Sequence, residues 1–381
     1  MSRFQVFISA GEASGDLHAA NLVRAVRKAS SEVRFMGLGG DKMREAGVDL
    51  RAQTVHMGTV GFLEGIKFYP AFFNLLSMVK RILRKERPDL AVLVDSRDFN
   101  LRVAKLARKL GIPTLYYIAP PVWAWNDWKK KTIAKTIDKI IAIFAFEAKV
   151  YQEAGANVEL VGYPLLDLVK PSLSKEEAFS KLDLDPAQPI IAFLPGSRGH
   201  EINQLLPIML KSARKIKDEM HHVQFLLPVA APVFRDRIVR QVKRSGLPIK
   251  LFSDNIYDLM NIADLLMVAS GTATLEAAIL GTPMIIVYKT SLSTYLLGRI
   301  LVKLPYIGLP NIIAERKIVP EFVGFRMREN KITNEALRLL ENHGERKKMR
   351  EDLGELKKKL GEPGVLDRAA RIVVETLDTI T

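Results

Sequence analysis

The sequence predicts two doubly wound α/β domains, each a parallel sheet covered by helices on both faces. Three observations lead there. Short apolar runs recur at helix-length intervals, the rhythm breaks once in a proline-rich stretch and restarts, and several runs end in loops of small residues. Continuous rather than alternating apolar strands mean sheets buried on both faces, as in parallel βαβ units. The first series is Gln5–Ala10, Val33–Leu38, Asp89–Asp95, Thr114–Ala119, Lys139–Phe144 and Val158–Val161. Pro164, Pro171, Pro186 and Pro189 interrupt it, which puts the boundary near Tyr163–Asp185. The second series is Pro189–Leu194, Val223–Val229, Ile249–Phe252, Leu265–Val268 and Pro283–Tyr288. After Pro320 the chain turns mostly helical and highly charged. The expected domains are 1–165 and 166–340, followed by charged helices over 341–381. In doubly wound sheets the ligand lies outside the carboxyl ends of the strands. Two such domains facing each other would set an active site in the cleft between them.

At 381 residues the chain is long for one core and comfortable for two. Cysteine is absent, which excludes disulfides, thiolate metal sites and cysteine nucleophiles and permits a reducing cytosol. No apolar run approaches the ~20 residues that span a bilayer. The N-terminus enters a strand at once, so no signal peptide is expected. The net charge of +15 suits nucleic acid, an anionic membrane or a phosphorylated substrate. Much of the excess lies in Arg346–Lys348 and Lys357–Lys359, where a solvated helix face accounts for it. Without zinc-finger spacing, an aromatic RNA-binding stripe or a basic arm, nucleic acid is not an expected partner.

Four loops at strand ends carry the chemistry. Leu265–Val268 reads as a buried strand that stops at Ser270-Gly271-Thr272, where a helix begins. Small residues there let a ligand approach the backbone, and the free N–H groups of a first helical turn favour phosphate. Thr274 lies in that turn, and Glu276 sits a turn inside, placed to hold ribose hydroxyls. Leu194-Pro-Gly196-Ser197-Arg198 makes a second such turn in the same domain. Arg198 adds a guanidinium for a diphosphate, and Glu201 a carboxylate at a helix start. The third loop, Gly11-Glu12-Ala13-Ser14-Gly15-Asp16, follows the first strand. Ser14 or Asp16 would cap the next helix, which leaves unexplained why Glu12, Asp16 and His18 crowd one turn. In the fourth, Asp95 ends a strand and Asp98 follows. Paired carboxylates suit a general base with a raised pKa, and a helix N-cap at Asp98 or Asn100 is the competing explanation. His221-His222 has the look of surface. No metal site is indicated, and no Gly-x-Gly-x-x-Gly or Walker A loop appears, so nicotinamide cofactors and ATP are poor candidates.

Residues 62–83 are apolar beyond the needs of one helix face. Phe72, Leu75, Leu76, Val79 and Leu83 share a face suited to a core. Phe62, Phe68, Tyr69, Phe73 and Met78 remain, with Lys80, Arg81, Arg84, Lys85 and Arg87 close behind. An apolar patch beside cations is how a soluble protein meets an anionic bilayer or an acyl chain, with Phe62, Phe68, Tyr69, Phe72, Phe73 and Met78 as the candidate contacts; a well-covered helix plus a loop is the competing explanation. Trp123, Trp125 and Trp128 form a second aromatic–cationic run ending in Lys129–Lys131.

These stretches together resemble the lipid-A-disaccharide synthase family. The resemblance rests on Ala10–Asp16, Asp95–Asn100, Pro121-Val-Trp-Ala-Trp125, Val161–Leu165 with Asp167, Leu194–Arg198 with Glu201, Ser270–Glu276 and Leu309-Pro-Asn311, in order over nearly the whole chain. It implies a GT-B fold and a cofactor-free inverting transfer of 2,3-diacylglucosamine from UDP to the 6-hydroxyl of 2,3-diacylglucosamine 1-phosphate. It implies association with the inner face of the inner membrane. It also implies that the C-terminal helices either return to the first domain or exchange in a homodimer. Asp98 would be the base, with Asp95 as second choice. Gly196, Ser197, Arg198, Glu201, Ser270, Gly271, Thr272, Thr274, Glu276 and Asn311 would bind UDP. Gly11, Glu12, Ser14, Gly15 and Asp16 would lie on the acceptor side.

The chain departs from the family pattern at Pro121, Asn126 and Tyr163, where Ser, Arg and His are usual. Gly324 replaces a usual Gln, so any contact the family makes through that Gln is missing. The competing readings are another GT-B enzyme acting on UDP-N-acetylglucosamine, and a non-catalytic nucleotide-sugar-binding protein.

Overall fold

The computed structural model describes residues 3–54, 65–120, 127–229, 232–253, 255–289, 306–324 and 327–380. The chain divides into two compact units, Met1–Asp167 with Leu360–Thr381, and Leu168–Lys359.

The first unit carries β1 (Phe4–Ala10), β2 (Val33–Gly39), β3 (Asp49–Gln53), β4 (Leu90–Val94), β5 (Thr114–Tyr117), β6 (Lys139–Ala142) and β7 (Val158–Leu160). Its helices are α1 (Ala13–Ala29), α2 (Asp41–Glu45), α3 (Gly65–Glu86), α4 (Arg97–Lys109), α5 (Asp127–Thr136), α6 (Ala145–Glu153) and α7 (Leu165–Leu168). The strand order is β3-β2-β1-β4-β5-β6-β7, and every pairing is parallel. The chain winds outward from β1 to β3 and then resumes on the other side of β1 with β4. The direction reverses between β1 and β4, the position at which doubly wound sheets bind ligands.

The second unit repeats the scheme. It carries β8 (Ile190–Leu194), β9 (Gln224–Pro228), β10 (Ile249–Phe252), β11 (Leu265–Ala269), β12 (Met284–Tyr288) and β13 (Glu321–Val323). Its helices are α8 (Lys175–Lys181), α9 (Gly199–Glu219), α10 (Arg235–Ser245), α11 (Ile256–Ile262), α12 (Thr272–Leu280), α13 (Leu309–Ala314), α14 (Glu329–Glu341) and α15 (His343–Lys359). The parallel order β10-β9-β8-β11-β12-β13 reverses between β8 and β11.

β4, β8 and β11 are buried along their whole length, which explains their unbroken apolar sequences. In the first unit Phe7, Leu38, Leu93 and Tyr116 pack with Val79, Leu83, Val103 and Ile140 in one core. Acidic residues pin the amino edges of the sheets. Asp89 accepts from the Gln5 amide at 2.7 Å, Asp138 from Thr114 at 2.8 Å and Asp264 from Ile190 at 3.0 Å. These carboxylates are structural, and the candidate chemistry lies at the opposite edge.

β3 and β13 were not expected. Both are edge strands with at least one half-exposed face, so their sequences carry little apolar signal. The charged C-terminal helices also part company. α15 stays in the second unit, and only α16 (Val365–Ile380) joins the first. The buried stripe Val365, Ala369, Ala370, Ile372, Val373 and Leu377 belongs to α16, whose packing partner is α1 with buried Ala19, Ala20, Leu22, Val23 and Val26. Asp167 caps the helix, accepting from the amides of Gly364 at 2.6 Å and Leu366 at 2.8 Å. Arg368 donates to the Val161 carbonyl at 2.7 Å, and the Tyr163 amide to Leu360 at 2.8 Å.

Candidate functional site

Each unit brings two of the four loops together at its reversal point. In the first unit these follow β1 and β4. β4 ends in two consecutive left-handed residues, Asp95 at φ 52° and Ser96 at φ 48°. Neither is glycine, so the turn carries on the order of 1–3 kcal/mol of strain per residue. Its surroundings hold it in place. The Asp95 carbonyl accepts from Asn100 Nδ2 at 2.8 Å and from the Tyr116 hydroxyl at 2.6 Å. Asn100 is fully buried and also ties Val94 at 3.0 Å and the Ser9 hydroxyl at 2.8 Å. Ser96 is therefore the N-cap of α4. Neither Asp98 nor Asn100 takes that position, because the left-handed pair turns the chain at Asp95 and Ser96, two residues before Asp98.

The β1 loop closes onto this turn. A Cβ at Gly11 would lie 2.2 Å from Ser96 Oγ, so no larger residue fits there. One at Gly15 would meet Asp95 Cβ at an ordinary 3.5 Å. Ser14 hydrogen-bonds the Asp95 carboxyl. Burial pushes the pKa of that carboxyl up, against the opposing pull of the Ser96 amide and the Ser14 hydroxyl. Asp98, in the first turn of α4, is 77% exposed and within 3.4 Å of Arg97. One carboxylate is thus enclosed and strained, and the other is open to a substrate.

α1 begins at Ala13 with Glu12 as N-cap, so Ser14, Gly15 and Asp16 lie in its first turn and neither Ser14 nor Asp16 caps it. Asp16 is buried and serves a different helix. It accepts from the amides of Gly40 at 2.7 Å, Lys42 at 3.1 Å and Met43 at 3.1 Å, capping α2. These bonds make its carboxylate part of the floor of the loop. His18, two residues on, is buried, its Nδ1 has no partner, and burial lowers its pKa to about 4.

In the second unit the loops follow β8 and β11. Gly196 takes φ 106°, a conformation that favours glycine, and a Cβ there would lie 2.3 Å from Glu201 Oε2. The turn directs two successive amides at that carboxylate. Ser197 N lies 3.1 Å and Arg198 N 3.2 Å from Glu201 Oε2, and Arg198 Nη1 lies 3.4 Å from Oε1. Beyond β11, the space over Gly271 is open, with no atom within 4 Å of where its Cβ would be. Thr272 starts α12, and the Thr274 hydroxyl donates back to the Gly271 carbonyl at 2.7 Å. Glu276 is half-buried. Burial raises its pKa, opposed by the Tyr257 hydroxyl, which donates to it at 3.4 Å.

Asn311 departs from its expected role as a nucleotide contact. It is fully buried, and all four of its hydrogen-bonding positions are occupied within the protein. Its Nδ2 donates to the Val319 carbonyl at 2.9 Å and to Glu321 Oε1 at 2.7 Å. Its Oδ1 accepts from the amides of Ile318 at 2.7 Å and Val319 at 3.0 Å. Glu321, which the sequence did not single out, also accepts from the amides of Ile307 at 3.1 Å and Gly308 at 2.9 Å. Ser270 Oγ reaches the Ile307 carbonyl at 3.4 Å. Asn311 and Glu321 thus brace the segment beside the phosphate-type turn.

Of the apolar patch, Phe73 is 47% exposed. Phe72 packs edge-on to Phe99 at 5.5 Å, and Met78 leans on the core, so both bury surface expected to be free. Arg102 lies over the rings of Phe72 and Phe73 at 5.3 and 6.0 Å. Phe62, Asn126, Trp123 and Trp125 lie outside the described residues, as do the side chains of Phe68, Tyr69 and Trp128. His221 and His222 are exposed.

A model of the family described as lipid-A-disaccharide synthetase matches residues 6–375. The lipid-A-disaccharide synthase of Geobacter metallireducens is 39% identical over 373 residues, covering 98% of this chain and 97% of that protein. Among solved structures, S. aureus MnaA in complex with UDP superposes with a TM-score of 0.64 at 13% identity, covering 97% and 95% of the two chains. The UDP-GlcNAc 2-epimerase of Neisseria meningitidis, bound to UDP-GlcNAc, does so with a TM-score of 0.59 at 13% identity, covering 98% and 100%. At such identity these structures speak for the fold, two Rossmann-like domains of GT-B type.

Proposed function

The chain belongs to the lipid-A-disaccharide synthetase family, a family of glycosyltransferases, and from that premise we propose how its two loop pairs perform the transfer. The reaction moves 2,3-diacylglucosamine from UDP to the 6-hydroxyl of 2,3-diacylglucosamine 1-phosphate, giving the β-1',6 disaccharide 1-phosphate and UDP. The observation that carries this is the family match over residues 6–375, which spans all four loops.

The second unit would hold the UDP-sugar. Arg198, the amides around Ser197 and the open first turn at Ser270–Thr272 offer positive charge and N–H donors to a diphosphate. Glu276, half-buried in α12, would hold the ribose hydroxyls. The first unit would supply the base. Asp98 removes the proton from the acceptor 6-hydroxyl, and the oxygen attacks C1 of the donor sugar on the face opposite UDP. The C1–oxygen bond breaks with its electron pair passing to the diphosphate, and the configuration inverts. The exposure of Asp98 supports this role, and the raised pKa of Asp95 keeps it as the second candidate. Gly11, Glu12, Ser14 and Gly15 line the acceptor side in this reading.

Both substrates are acylated, which gives exposed Phe73 and its cationic neighbours a purpose at an anionic membrane surface. No helix among the described residues is long and apolar enough to cross a membrane. In this reading the attachment is peripheral, at the inner face of the inner membrane, as the family resemblance implies. The test is incubation with both acylated precursors and mass spectrometry for disaccharide and UDP, with no metal added. Absence of product overturns the reaction. Near-normal turnover by Asp98→Asn, with UDP binding intact, removes Asp98 as the base.

A further inference from the structure

We propose that Glu201 is a built-in competitor of the nucleotide diphosphate, occupying its amide pocket until the ligand displaces it. The inference rests on the reading of the Gly196–Arg198 turn as part of the UDP site. A helix-capping glutamate needs to bond only the N-cap amide. Here one oxygen, Oε2, takes the N-cap amide of Arg198 and also the amide before it, Ser197, at 3.2 and 3.1 Å. Successive amides after a positive-φ residue form an anion-binding concavity. The carboxylate fills it and draws in the Arg198 guanidinium at 3.4 Å. The space over Gly196 is taken in the same way. The three atoms nearest to a Cβ at that position all belong to the Glu201 side chain. The groups suited to a diphosphate are therefore satisfied by an internal anion, while the companion turn at Gly271 stands open.

The catalytic cycle is affected at two points. UDP-sugar binds against the free energy of the resident bonds, which lowers its affinity. After transfer, the carboxylate returns to the amides and speeds the loss of UDP.

The experiment is isothermal titration of the full chain with UDP, together with thermal unfolding, for wild type, Glu201→Ala, Glu201→Gln and Arg198→Ala. Glu201→Ala should bind UDP about tenfold more tightly, equivalent to ~1.4 kcal/mol. It should also unfold at a lower temperature, because the cap is lost. Glu201→Gln keeps a weaker neutral acceptor at the amides and should fall between the two. A purely structural glutamate gives the opposite sign, with affinity and unfolding temperature falling together, and that result overturns the proposal. Equal tightening by Gln and Ala also overturns it, because charge repulsion then suffices. Arg198→Ala separates the two levels. If it leaves UDP affinity unchanged, the turn is not part of the UDP site and both readings fall. If it weakens UDP while Glu201→Ala weakens it too, only the competitor falls.

Discussion

Replacing Asn311 with alanine should destabilise the second unit while leaving its nucleotide site in place. The substitution deletes four hydrogen bonds in a fully buried position. Glu321 Oε1 keeps the Gly308 amide at 2.9 Å, so it is not stranded. The amides of Ile318 and Val319 and the Val319 carbonyl each lose the partner that Asn311 gave them. Stranding a buried polar group costs about 1–3 kcal/mol. Allowing for local relaxation, three of them amount to roughly 3–5 kcal/mol. In a unit of this size each kcal/mol moves the unfolding midpoint by about 2–4 °C, so the shift is on the order of 6–20 °C. Differential scanning calorimetry reads the shift, and UDP titration well below the transition reads the site. Asn311→Asp sharpens the contrast, because it keeps the acceptor for the two amides but sets a second carboxylate against Glu321. An unmoved transition together with lost UDP binding refutes the bracing role and returns Asn311 to the ligand.

The buried titratable groups of the first unit give two pH-dependent outcomes. The folded pKa of Asp95 is raised, so its ionised form costs stability above that pKa and nothing below the ordinary carboxylate range. Asp95→Asn should therefore be more stable than wild type in urea unfolding at pH 8, with the gain shrinking toward pH 4; a gain that grows on acidification refutes this. His18 is held near pKa 4 from an ordinary 6.5, so the unfolded chain takes up its proton first and stability falls as pH drops from about 6.5 to 4. The full effect is up to about 3 kcal/mol. The unfolding midpoints of His18→Gln and wild type should therefore converge between pH 7 and pH 5. Parallel curves exclude the histidine.

The central strands were legible because a strand buried on both faces has no freedom to be polar; β4, β8 and β11 are cases in point. β3 and β13 were not, because an edge strand satisfies its polar side chains in water. The four loops could be read as glycine-rich strand ends. Their internal geometry could not. Nothing in the residue types of Asp95 and Ser96 announces a left-handed pair, which exists because Asn100 and Tyr116 hold the carbonyl between them. Asp16 and Asn311 were read toward ligands because short-range sequence shows a polar residue in a loop, whereas its partners lie in other elements. For Asp16 they are 24 to 27 residues away.

The return of the final helix makes the first unit discontinuous in the chain, and this sets an order of assembly. Residues 168–359 form the second unit as one contiguous stretch. The unit that begins the chain must wait with the apolar face of α1 uncovered until Val365–Ile380 emerges. The exposed α1 surface in that interval is where a chaperone, or a neighbouring nascent chain, would find its opening.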